Sequence, residues 1–403
     1  MTDFFTARPD PLAALRTALR DTGDGAACLI GTQAAGKSIF AEYLRVRAVE
    51  GQHGRWSLDE RFAAALGGIK LAPVRPKHVV PFLEQAPDAA DERGANIERK
   101  RGSKSITVWE PVIENAPVRG TSFIDVPGEA SGLLDPSSVR AAGLSQETIR
   151  DGLGDVIRAS GVVVLFVPVW SLLPSSWLVA HGAAALGPHL AATSLLSDPG
   201  RVPTADELAS VCHQTVSQTD GWKALLESHM KRGAHLVVVL SQFQRETVQK
   251  LFDAYGSGTS LGALGTATWD RLDRAYRAAR APSGSYGALP RLGASLRAVD
   301  DAAFELIHAT RSAAREREES CPVAASLASL VAAPATESVA ATRMRARFGS
   351  VSVLPLNVVS IHSAEDCAQW VAKTKYPEYD HRACEDVLWT MLLRRHAADL
   401  WEP

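Results

Sequence analysis

Gly31-Thr32-Gln33-Ala34-Ala35-Gly36-Lys37-Ser38 is the stretch on which the fold turns. It fits G-x-x-x-x-G-K-[ST] at every fixed position, follows the apolar run Ala26–Ile30 and opens a helical pattern that continues to Val49. Strand, glycine-rich loop and helix in that order make a cradle for phosphate. Gly31 and Gly36 permit a turn whose backbone N–H groups, from Thr32, Gln33, Ala34 and Ala35 onward, point at phosphate oxygens. Lys37 places a compact positive charge on the outer phosphates. The Ser38 hydroxyl is a hard oxygen ligand suited to Mg²⁺. From Ile39 on, the helix presents its positive end to the same anions.

Downstream, Phe123-Ile124-Asp125-Val126-Pro127-Gly128-Glu129 ends another strand-like run. By itself D-x-P-G is an ordinary turn. After a phosphate loop it becomes a second motif, in which Asp125 holds Mg²⁺ through water and Gly128 offers its N–H to a γ-phosphate. Glu129 is placed either to orient an attacking water or to stabilise the following turn. The remaining strand-like runs are Ile106–Ile113, Thr121–Ile124, Val162–Val167, Leu236–Leu240 and Val353–Ile361, separated by helical patterns such as Glu147–Arg158 and Ala205–Met230. Alternation of this kind predicts an α/β fold with a mostly parallel sheet between helical layers. Only Glu114-Asn115-Ala116-Pro117-Val118 joins Ile113 to the next run, too short for a crossover, so this pair is expected to be an antiparallel edge hairpin. The connections at 52–104, 170–231 and 245–348 are far longer than a sheet needs and read as helical insertions into one domain spanning 1–403.

With these motifs in place, the chain resembles the translation-factor-like (TRAFAC) class of P-loop GTPases, in which a D-x-x-G motif ends a strand paired antiparallel with the one before. The resemblance extends to Ser241-Gln242-Phe243-Gln244, where the class has N/T-K-x-D for reading guanine, and to His362-Ser363-Ala364-Glu365, which is similar to its S-A-K loop. The Asp-x-Pro-Gly-Glu form and the large insertions are similar to bacterial double-GTPase families linked to conflict systems. The resemblance implies a three-layer P-loop fold, GTP and GDP as ligands with Mg²⁺ as cofactor, and base contacts from Ser241, Gln242, Gln244, Ser363 and Ala364. It implies Lys37, Gly128 and Glu129 in the catalytic set and Ser38 and Asp125 on the metal. A hydroxyl completing the metal shell falls to Ser103, Ser105 or Thr107, with Ser103 carried in the metal set. The run Arg99-Lys100-Arg101-Gly102-Ser103-Lys104 is either a solvated loop or the source of a cis-acting Arg. Where the class has an Asp, Gln244 offers one neutral carbonyl oxygen. The loss of a charge-assisted pair, about 1.5–3 kcal/mol, is enough to blur GTP against ATP.

Composition removes other classes. Across 403 residues, 46% hydrophobic and 22% charged, the chain carries 43 Lys+Arg against 45 Asp+Glu, a net charge of −2. No global field favours nucleic acid, and none is expected as a partner. Cys28, Cys212, Cys321, Cys367 and Cys384 are scattered, which excludes a disulfide framework and a zinc knuckle. No leader-like apolar segment opens the sequence, so a cytoplasmic setting is expected. Ala159 to Ser197 holds no charged residue, yet Pro168 and Pro174 break it, and Val162–Val167 is rich in β-branched residues. It reads as a buried strand followed by a buried helix or an apolar docking face, in preference to a membrane span. The leading expectation is a Mg²⁺-dependent GTPase switch that signals to a protein partner through its insertions. The alternatives are an ATPase and a nucleotide-binding interaction protein with little turnover.

Overall fold

The computed structural model describes residues 12–22, 26–33, 35–37, 70–82, 105–114, 122–128, 130, 145–192, 202–242, 245–259, 261–262, 270, 274, 289–331 and 350–355. Its centre is a seven-stranded sheet in the order β2-β3-β4-β1-β5-β6-β7. The strands are β1 (Ala27–Gly31), β2 (Lys70–Pro81), β3 (Ser105–Glu114), β4 (Phe123–Asp125), β5 (Val162–Pro168), β6 (His235–Ser241) and β7 (Ser350–Pro355). β4, β1, β5, β6 and β7 run parallel. β2 and β3 form an antiparallel pair at one edge, with β3 antiparallel to β4.

The middle strands are what burial on both faces demands. All seven residues of Val162–Pro168 are buried, as are Ala27–Gly31 and nearly all of His235–Ser241. Helices cover them: α1 (Ala13–Arg20), α2 (Gln146–Ala159), α3 (Ser175–His181), α4 (Ala183–Ala192), α5 (Ala205–His229), α6 (Arg245–Gly256), α7 (Leu289–Glu316) and α8 (Pro322–Val331). Two starts are capped by hydroxyls. Ser145 Oγ accepts from Thr148 N at the head of α2, and Thr204 and Glu207 form a reciprocal capping box at the head of α5. α5 is the hub, packing on α2, α3, α8 and β1, while α7 packs on α8 and β7.

Two expectations are corrected, and a third is decided between its alternatives. The stretch 52–104, expected as a helical insertion, contains the strand β2. Pro73, Pro76 and Pro81 disguise it, since proline is tolerated only at sheet edges and bulges. The register accordingly slips between Leu71 and Val74 and between Pro76 and His78. β2 and not β3 is therefore the outer strand. The last strand begins at Ser350, three residues earlier than the apolar run suggested, and 356–361 lie outside the described residues. Finally, the charge-free stretch supplies β5, a 3₁₀ turn (Val169–Leu172), α3 and α4, with Trp170, Leu172, Leu173, Leu178, Leu186 and Leu190 buried in the core. Those side chains are inside the fold and do not form an outward docking face. Among the described residues no helix is long and apolar enough to cross a membrane. Cys28, Cys212 and Cys321 are free and buried, and burial pushes the Cys28 thiol up to about 12.

β1 and β5 approach so closely at the end of β1 that a side chain has no room there. A Cβ on Gly31 would lie 2.1 Å from the Phe166 carbonyl oxygen, and Gly31 also has φ +141°. Gly31→Ala is expected to cost about 3 kcal/mol or more by combined clash and backbone strain, read as a lowered urea midpoint or loss of soluble protein.

Candidate functional site

The parallel strands end together, and the end of β1 meets the end of β4. Leu29 pairs with Asp125, and Val126 N continues the ladder to Leu29 O at 3.2 Å. β4 and β5 lie on opposite sides of β1, and the chain passes from β4 to β5 through α2, so the carboxyl end of β1 is a switch point of the sheet, the place where an α/β fold leaves a crevice. Into it projects the loop that follows β1.

Lys37 folds back over that loop. Its ammonium donates to Gly31 O at 2.9 Å and to Thr32 O at 2.7 Å, and the side chain is 3% exposed. Gly36, at φ +89°, gives the loop the turn that returns Lys37 to its own start. Burial pulls the Lys37 ammonium down to about 8, opposed by the charge of Asp125. Asp125 mirrors it: burial pushes its carboxyl up to about 7, opposed by Lys37. Its Oδ1 is buried with no hydrogen-bond partner among the described residues, and so is Thr32 Oγ1. A covered carboxylate oxygen lacking a donor is costly, and a cation or a proton relieves the cost. Gly128 completes the cluster. A Cβ there would lie 3.8 Å from Lys37 Nζ and 4.0 Å from Gln33 Cα. Loop, ammonium, carboxylate and the glycine of the second motif are thus within a few ångströms of one another.

Helix α5 holds this loop through three side chains. Gln218 Oε1 accepts from Gln33 N at 2.6 Å, Gln214 Nε2 donates to Gln33 Oε1 at 2.7 Å, and Trp222 Nε1 donates to Gly31 O at 2.9 Å. Positions 214, 218 and 222 lie one turn apart on a single helix face. Sequence reading missed them. The signal was a four-residue spacing of Gln, Gln and Trp along a helix whose buried face also carries Thr215 and Thr219, which marks a face but not its partner.

The strand ends at β6 carry a second feature. Gln242 has φ +56° and is buried, and its Oε1 accepts from Trp170 Nε1 at 2.6 Å. Ser241 Oγ is buried with no partner among the described residues. Of the hydroxyl candidates, Thr107 sits in β3 directly opposite Asp125 and is buried, while Ser105 begins the same strand. The structure therefore brings together Gly31, Thr32, Gln33, Ala35, Gly36, Lys37, Asp125 and Gly128. Ala34, Ser38, Ile39, Ser103, Glu129, Gln244, Ser363 and Ala364 lie outside the described residues.

Comparison with known proteins finds no matching family model, no matching curated protein and no matching solved structure. The site is read from its own chemistry.

Trp222→Phe keeps the ring in its buried place and removes one donor from Gly31 O, which Lys37 still serves. The variant is expected to lose about 1 kcal/mol of stability, whereas Trp222→Ala loses about 3–5 kcal/mol, both measured by denaturant unfolding.

Proposed function

We propose that this chain is a P-loop nucleoside triphosphate hydrolase, preferring GTP, whose turnover switches the segment around Gly128. The observation that carries this reading is the convergence of Lys37, Asp125 and Gly128 at the ends of β1 and β4. Lys37 is held by two carbonyls on the inner side of the loop, so its charge faces the position that β- and γ-phosphates would occupy over Gly31–Lys37. Gly128 stands beside that ammonium, a Cβ there lying 3.8 Å from Nζ, so its backbone is placed to meet a γ-phosphate. Asp125 Oδ1, with no hydrogen-bond partner among the described residues, fits a cation held through water, with Ser38 and one of Ser103, Ser105 or Thr107 as further oxygen donors. When bound, Mg²⁺ would neutralise charge on the phosphate oxygens. In hydrolysis a water oxygen bonds to the γ-phosphorus, the bond from that phosphorus to the β–γ bridging oxygen breaks, and the diphosphate leaves with its electron pair. The water protons pass to phosphate and solvent.

Switching follows from the same contacts. The loop after β4 touches Lys37 through Gly128, so loss of the γ-phosphate removes a ligand that both segments share. The helical connections would carry that change to a protein partner. An ATP-hydrolysing reading is favoured by one observation. Gln242 stands where the resembled class has a cationic Lys, and its carbonyl is committed to Trp170, which leaves purine selection to neutral groups.

Titration with GTP, GDP and ATP in the presence of Mg²⁺, followed by a phosphate-release assay, tests the proposal. Saturable triphosphate binding is expected, with Lys37→Ala weakening it at least 100-fold; unaltered affinity in that variant would falsify the assignment. The two displaced pKa values also fix a pH profile. Asp125 must be ionised to hold a cation, so activity rises with pH through about 7. Lys37 must keep its proton to hold an anion, so activity falls as pH passes about 8. kcat/KM, which reports the free protein's groups, is expected to peak between those values and to fall about tenfold by pH 6. A profile flat from pH 6 to 9 would remove both groups from the site.

A further inference from the structure

Gln218 is a half-used amide. Its side chain is 1% exposed, and Oε1 accepts the Gln33 N–H at 2.6 Å. That bond fixes which end of the amide is oxygen, because an N–H can be received only there. The other end, Nε2, carries two donors, is buried, and has no partner among the described residues. One carbon links Nε2 to Oε1, so it lies within about 5 Å of Gln33 N. That neighbourhood is where Gln33 Cα and Lys37 Nζ both approach Gly128, at 4.0 and 3.8 Å from the position of a Cβ there. The spare donors therefore stand near the start of the loop, two residues past β1, in the neighbourhood given above to a γ-phosphate.

A buried donor without a partner calls for an acceptor, and a water, an ion or a ligand can supply one. A phosphate oxygen is such an acceptor, and a neutral amide can meet it without competing for the charge that Lys37 supplies. Gln214 makes the arrangement selective, since by donating to Gln33 Oε1 it holds the Gln33 side chain against α5. We infer that Gln218 distinguishes nucleoside triphosphate from diphosphate: Nε2 donates to a γ-phosphate oxygen while Oε1 keeps hold of the Gln33 N–H. This assignment rests on the nucleotide-binding reading above and gives α5 a direct contact with the terminal phosphate.

Gln218→Glu is the test, because it preserves length and an oxygen for Gln33 N–H but turns the donor into an anionic acceptor. Calorimetric titration with the imido analogue of GTP and with GDP, each with Mg²⁺, is expected to show the triphosphate analogue bound at least 30-fold more weakly, with GDP altered less than threefold. Equal losses for both, or no loss for either, overturn the assignment and leave Gln218 as a clamp on the loop. If that variant fails to unfold cooperatively, Gln218→Met keeps the volume without charge, and its ratio of triphosphate to diphosphate affinity is expected to drop at least fivefold. An unchanged ratio there is equally decisive against it. Wild-type protein that binds neither nucleotide would sink the underlying reading, and this assignment with it.

Discussion

The contact between Gly31 and the backbone of Phe166 is the constraint on which the rest of the site depends. A Cβ on residue 31 would lie 2.1 Å from Phe166 O, so only glycine lets β1 and β5 close at this point. Thr32 N then reaches Phe166 O at 3.1 Å, and the loop leaves the sheet at a defined angle. From there the Gly31 carbonyl faces inward and receives both the Lys37 ammonium and the Trp222 indole. One missing methyl group therefore fixes the position of a buried cation.

That cation is held at a cost. Lys37 and Asp125 are each displaced toward neutrality by burial, in opposite directions, and each partly restores the charge of the other. A core selected only for stability would replace such a pair with apolar residues of similar volume. Their presence at the ends of β1 and β4, with one Asp125 oxygen lacking a donor among the described residues, is a pattern that functional sites share. The same logic covers Gln218, whose amide has a partner at one end and none among the described residues at the other. Thr32 Oγ1, Asp125 Oδ1 and Gln218 Nε2, three of the buried polar atoms with no partner among the described residues, gather around the one loop.

Much of the sheet was legible in advance because its cause is local. Val162–Val167 and Leu236–Leu240 are continuous β-branched and aliphatic runs, and a strand covered on both faces must be apolar at every position. The short link after Ile113 announced an antiparallel partner for the same reason, since five residues cannot carry a crossover. β2 was hidden because its prolines oppose strand formation in any local reading, and only pairing with β3 at a sheet edge, through two slips of register, accommodates them. Trp170 to Leu190 posed the complementary difficulty. Apolar composition announces burial, but whether the burying surface is the chain's own core or a partner is settled by where the helices fall.

The sequence by itself determined the glycine-rich loop, the D-x-P-G segment and the parallel pairing of the central strands, because each depends on residue type along one segment. Glycine at 31 and 36, lysine at 37, aspartate at 125 and glycine at 128 are legible without coordinates. Only the tertiary structure decided that α5, about 180 residues along the chain from the loop, supplies Gln214, Gln218 and Trp222 to it. Helical periodicity places those three side chains on one face, but what that face meets depends on how far the intervening chain lets α5 travel before β6 returns it to the sheet. Spacing along the chain sets what a residue can do, and packing between distant segments sets which of those things it does here.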